Sequence, residues 1–129
     1  MAKRILVVDD EPDIVAVMKF TLESRGFEVI TAYDGKEGLD KARTFKPDII
    51  ILDVLMSKMY DNTLVAELEN NDTKNIPIIF LSCLVDRSTT YTEQDMRGRI
   101  LLPKSCSEEE LMEAINRALG GNQNNLVDS

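Results

Sequence analysis

Apolar residues along this chain fall into short blocks separated by longer amphipathic stretches. Ile5-Leu6-Val7-Val8, Ile49-Ile50-Ile51-Leu52 and Ile78-Ile79-Phe80-Leu81 are continuous rather than alternating. Uninterrupted runs of this length read as strands covered on both faces, the condition of a parallel sheet. Phe27-Glu28-Val29-Ile30-Thr31 alternates more, which suits an edge strand, and Ile100-Leu101-Leu102 is a short fifth run.

Between the blocks the spacing becomes helical. After Pro12, the residues Ile14, Val15, Met18 and Leu22 recur at three- and four-residue intervals, and Gly26 provides a stop. Residues 35–45 place Leu39 and Ala42 on one face. Leu64, Val65 and Leu68 mark a further helix with Asn62 as its cap. Ser107 and Glu110 form an S-x-x-E capping box ahead of Leu111, Met112, Ile115 and Leu119, and Gly120 ends that segment. Residues 86–98 are polar and carry the weakest helical pattern. The β-α alternation, repeated five times, predicts a doubly wound α/β fold: a parallel five-stranded sheet with helices on both faces. The expected domain covers residues 1–120. Residues 121–129, rich in Gly and Asn, read as a flexible tail or the start of a linker.

Composition narrows the function classes. The chain has 129 residues, with 15 Lys and Arg against 23 Asp and Glu, a net charge of −8. An acidic surface argues against direct binding of nucleic acid or an anionic membrane. There is no histidine, which excludes Ser-His-Asp catalysis, His-ligated zinc or haem, and service as a phosphohistidine carrier. Two cysteines, Cys83 and Cys106, cannot build a disulfide framework or a four-thiolate metal site. No stretch is long and apolar enough to span a bilayer, so a cytoplasmic location is expected.

In open α/β sheets, ligands gather outside the carboxyl ends of the strands. Asp9 and Asp10 follow the first run, Asp53 ends the third, Ser82 ends the fourth, and Lys104 comes just after the fifth. Taken singly, each has an ordinary explanation as a helix cap, a loop acid or a solvated lysine. If the strand order is 2-1-3-4-5, all of these ends are neighbours, and coincidence at successive strands is then a poor account of them. Three clustered carboxylates repel unless a cation joins them. Oxygen ligands without His or paired thiolates suit Mg²⁺. Such a rim, with one hydroxyl and one ammonium for phosphate oxygens, matches phosphoryl transfer, and a carboxylate can serve as the nucleophile.

These residues resemble the response-regulator receiver domains of two-component signalling. Ile5-Leu6-Val7-Val8-Asp9-Asp10-Glu11-Pro12 and Pro47-Asp48-Ile49-Ile50-Ile51-Leu52-Asp53-Val54-Leu55-Met56 carry the resemblance, supported by Tyr33-Asp34-Gly35, Leu81-Ser82 and Lys104. It spans Lys3 to about Leu119. The resemblance implies a flavodoxin-like sheet in the order 2-1-3-4-5. It implies that Asp53 accepts a phosphoryl group from a sensor histidine kinase or a phosphotransfer protein. Asp10, Asp53 and the backbone carbonyl of Leu55 would hold Mg²⁺, with Asp9 acting through water. Ser82 and Lys104 would sense the phosphoryl group, and a downstream protein or fused output domain would read the altered surface. The protein would then be a switch rather than an enzyme acting on other substrates.

The chain also departs from the family pattern. Ser57 and Ser105 stand where family members carry Pro, and Asn62 stands near a usual Gly. Leu101 occupies the switch position, normally aromatic, and Gln94 to Arg99 replace a small-residue stretch. These changes motivate an alternative: a degenerate receiver acting as a constitutive protein-binding module. Leu55 and Leu84 are apolar where polar residues can orient a hydrolytic water, so slow hydrolysis of the acyl phosphate is expected. An aspartyl-nucleophile phosphatase is disfavoured because Leu55 replaces its second Asp. No G-x-G-x-x-G or P-loop pattern follows the first strand.

Overall fold

The computed structural model describes residues 2–53, 75–82, 100–103 and 106–120. Strand β1 (Arg4–Val8) leads into helix α1 (Pro12–Ser24), strand β2 (Glu28–Ala32) and helix α2 (Gly35–Phe45). Strands β3 (Ile49–Asp53), β4 (Ile78–Ser82) and β5 (Ile100–Pro103) follow, and helix α3 (Glu108–Ala118) closes the series. All five strands are parallel, in the order β2-β1-β3-β4-β5. The predicted helix around Leu64, Val65 and Leu68 and the polar stretch 86–98 lie outside the described residues.

The continuous apolar runs have a simple physical basis. Side chains alternate across a strand, so one run feeds two cores. Leu6, Val8, Ile50, Leu52, Ile78 and Phe80 pack with Ala32 and Ala42 on one face of the sheet. Ile5, Val7, Ile49, Ile51, Ile79 and Leu81 pack with Leu22, Leu111, Ala114 and Ile115 on the other. Helix α2 therefore covers the first face, while α1 and α3 cover the second.

Local signals set the helix ends. Pro12 opens α1, where its missing N–H costs no hydrogen bond. Gly26 ends the turn after it at φ +93°, a left-handed conformation that favours glycine; its N–H donates to Glu23 O, and Phe27 N–H donates to Leu22 O. Asp34 caps α2 by accepting the Glu37 N–H at 2.8 Å. The Ser107–Glu110 capping box forms with both of its hydrogen bonds, at 2.7 and 3.1 Å. Strand β2 lies at one edge, one residue later than the pattern placed it. Strand β5 lies at the other edge, where Pro103, its last residue, is tolerated.

Helix α1 differs from its expected face. Val15 and Leu22 are buried and Met18 is partly buried, but Ile14 is 37% exposed. Ile14 sits a full 100° around the helix from Val15, so both cannot face the sheet. Val17 and Phe20 are more exposed still.

Candidate functional site

The register of the sheet builds the site. Val8 is paired with Leu52, so the next position on each chain sets Asp9 abreast of Asp53. Asp53 is paired with Leu81, and Ser82 with Pro103. Asp9, Asp53 and Ser82 therefore occupy adjoining positions along one rim, the carboxyl end of the sheet. Lys104 directly follows Pro103; it and Leu55 lie outside the described residues. Leu101 lies within the edge strand β5, paired with Phe80 of β4.

Asp9 is held closely. It is 2% exposed, the buried charged residue of the described core. Its backbone N–H donates to Ala32 O at 3.1 Å, extending the β1–β2 ladder by one bond. Its Oδ1 accepts the Glu11 N–H at 3.0 Å, the two-residue local turn that aspartate makes readily. The same Glu11 carbonyl receives Val15 N–H at 3.1 Å. The carboxylate therefore lies at the start of α1, near the positive end of the helix dipole. Asp10, next in sequence, is exposed.

The donor set fits a hard divalent cation. Asp9 and Asp10 bring two carboxylates to the rim, and the β3 register brings Asp53 to the same level. These donors are oxygen, with no imidazole in the chain. Such a set favours Mg²⁺ over zinc. Among the described residues, no group of three or more His, Cys, Asp or Glu side chains is drawn together as a metal cluster; the donor set follows from strand register and residue type.

The sequence pattern also passed over two residues close to this rim. Glu37 and Lys41 on α2 bond the backbone at the end of β2, at Tyr33 N–H and Thr31 O. Glu37 is held below its ordinary carboxylate pKa, chiefly by the Tyr33 N–H it accepts and then by Lys41. The signals were present as Asp34-x-x-Glu37, a helix-start pattern, and as an acid and a base four residues apart.

A five-stranded parallel sheet in the order β2-β1-β3-β4-β5, with helices on both faces, defines the class of flavodoxin-like doubly wound domains. The family model for the response regulator receiver domain matches residues 5–116, and the chain belongs to that family. Its members work in phosphorylation-dependent two-component signalling, with histidine kinases and output domains. The chain is similar to the alkaline phosphatase synthesis transcriptional regulatory protein PhoP of Bacillus subtilis, at 46% identity over 82 residues, 64% of this chain. It spans 34% of that protein's length, and about half the length of several other curated relatives it matches. It is 30% identical to protein PilH of Pseudomonas aeruginosa, covering 92% of this chain and 98% of that one. Among solved structures, the chemotaxis protein CheY4 of Vibrio cholerae superposes with a TM-score of 0.75 at 31% identity, covering 92% of this chain and 99% of that one. Among the described residues, no helix is long and apolar enough to cross a membrane.

Proposed function

We propose that this domain is a phosphorylation-dependent switch in which Asp53 accepts a phosphoryl group from a phosphohistidine on a sensor kinase or phosphotransfer protein. One observation carries the reading: the strand register sets Asp9 abreast of Asp53 at the carboxyl rim, with Ser82 one position beyond Leu81, the partner of Asp53. An Asp53 carboxylate oxygen attacks phosphorus, the bond to the donor nitrogen breaks, and the imidazole leaves with the electron pair. Asp10, Asp53 and the Leu55 carbonyl would hold Mg²⁺, with Asp9 contributing through water. Bound there, the ion supplies neutralisation of the clustered acids and the incoming phosphoryl oxygens. Ser82 and Lys104 would take the remaining oxygens.

The acyl phosphate carries about −1.5 to −2 at neutral pH where the carboxylate carried a single negative charge, and the change in charge and bulk biases the surface beyond β4 and β5, which a downstream protein or a fused output domain reads. Leu101 at the switch position removes the aromatic readout of the family, so the response passes through a different surface rearrangement. Leu55 and Leu84 leave the acyl phosphate without a side chain to orient water, and the phosphorylated state is long-lived. The protein is a switch rather than an enzyme with a separate product, and it works in the cytoplasm.

The test is intact-mass spectrometry after incubation with Mg²⁺ and acetyl phosphate. A one-phosphoryl gain that disappears with chelator supports the reading. No gain, together with absent Mg²⁺ binding, favours the constitutive protein-binding module.

A further inference from the structure

A parallel edge strand leaves every second backbone N–H and C=O facing away from its neighbour. Strand β2 is such an edge, and its carboxyl end is where the acid rim begins. Ala32 O faces β1 and receives the Asp9 N–H at 3.1 Å. The groups on either side of it face outward. Thr31 O receives Lys41 Nζ at 2.7 Å, and Tyr33 N–H donates to Glu37 Oε1 at 2.8 Å. Glu37 and Lys41 also pair with each other at 3.0 Å, one turn apart on α2. One acceptor and one donor thus stand where a further strand would stand.

The helix bearing them is itself seated firmly on the rim. Asp34 caps it at 2.8 Å. Gly38 is packed so closely that a Cβ there would lie 3.1 Å from a methyl of Val8, the residue before Asp9. The hydrogen-bond path is short: Glu37 and Lys41 fix residues 31 and 33, the Ala32 carbonyl between them fixes the Asp9 N–H, and the Asp9 carboxylate turns onto Glu11 N–H.

We propose that the Glu37–Lys41 pair is a positioning device for the acid rim, holding the end of β2 so that Asp9 keeps the orientation a bound divalent cation requires. The proposal rests on the reading of the rim as an Mg²⁺ site. Groups behind metal ligands commonly change metal affinity by about 10- to 100-fold. This pair acts through backbone, one step further out, and a smaller effect of about threefold is expected on the same basis.

The experiment uses the full chain, with Glu37→Ala, Glu37→Gln and Glu28→Ala. Glu28 pairs with Arg4 at the opposite end of the same strand, so its loss controls for general weakening of β2. Two readouts are taken: Mg²⁺ affinity by titration calorimetry, and hydrogen exchange of the Asp9 amide by NMR. Glu37→Ala is expected to weaken Mg²⁺ binding about threefold and to speed Asp9 exchange, while the amides of the buried residues Leu22 and Ile115 stay protected. Glu37→Gln keeps an oxygen acceptor for Tyr33 N–H and restores most of both. Glu28→Ala changes neither. Wild-type Mg²⁺ binding that Glu37→Ala leaves intact, or equal losses in Glu28→Ala, overturns the positioning role alone. A wild-type chain that binds no Mg²⁺ overturns the metal rim and this proposal with it.

Discussion

The two ends of the sheet carry charge in opposite ways. At the amino end the signs are mixed. Arg4 pairs with Glu28 at 2.7 Å and reaches the Phe45 carbonyl, and Asp48 accepts the Arg4 N–H at 2.8 Å while its own N–H returns to Arg4 O. At the carboxyl end acids gather: Asp9 buried, Asp10 exposed, Asp53 level with Asp9 by register. Mixed charges close a surface and need no ligand. Acids set close together repel and leave a place for a cation; Lys41 at the same end is already paired with Glu37. On the proposed reading the amino end serves stability and the carboxyl end chemistry, and that contrast can be broken experimentally.

The largest effect belongs to the carboxyl end. Mg²⁺ at a hundred times its dissociation constant should stabilise the folded chain by about 2.7 kcal/mol, measured by urea unfolding with and without chelator. Asp10→Ala should remove most of that gain and, without Mg²⁺, unfold no more easily than wild type. At the amino end, Asp48→Ala should cost about 1 kcal/mol by leaving the Arg4 N–H without this acceptor, with Mg²⁺ affinity unchanged in calorimetry. Glu28→Gln should cost less, up to about 0.5 kcal/mol, because the Arg4–Glu28 pair is solvent-exposed; its cost should shrink in high salt.

The smallest effect is that of pH at Glu37. Its folded-state pKa lies below the ordinary value because it accepts the Tyr33 N–H and pairs with Lys41. Its contribution is therefore complete above the ordinary carboxylate pKa and is lost as pH falls through the lowered value. The stability difference between wild type and Glu37→Gln, followed by urea unfolding across the acid range, should narrow toward zero at the low end. A difference that grows on acidification would contradict the assigned bonds.

Much of this was legible from residue order. Continuous Ile/Leu/Val runs specified strands covered on both faces, because alternate residues serve two cores. Pro12, Gly26 and the Ser107–Glu110 box marked helix ends through local chemistry that acts the same way in any fold. Residue order put Asp9, Asp10, Asp53 and Ser82 at strand ends because each follows or ends a strand-like run, and the strands β1, β3 and β4 do end there. The orientation of α1 was not, since Ile14 and Val15 are equally apolar and only packing selects between them. The clamp of Glu37 and Lys41 escaped for a different reason: its partners are backbone atoms of an edge strand, and a backbone carbonyl has no residue type to read. The positions Leu55, Asn62, Leu84 and Lys104, and the stretch around residues 86–98, lie outside the described residues.

The central claim is that the like-charged end of the sheet is the working end and that Asp53 is its nucleophile. The most direct measurement locates the phosphoryl group itself. The chain is treated with Mg²⁺ and acetyl phosphate, reduced with borohydride to convert an acyl phosphate into homoserine, and mapped by peptide mass spectrometry. The account predicts homoserine at Asp53 alone, absent when Mg²⁺ is chelated. Label on another acid, or none in a chain that demonstrably binds Mg²⁺, would contradict it.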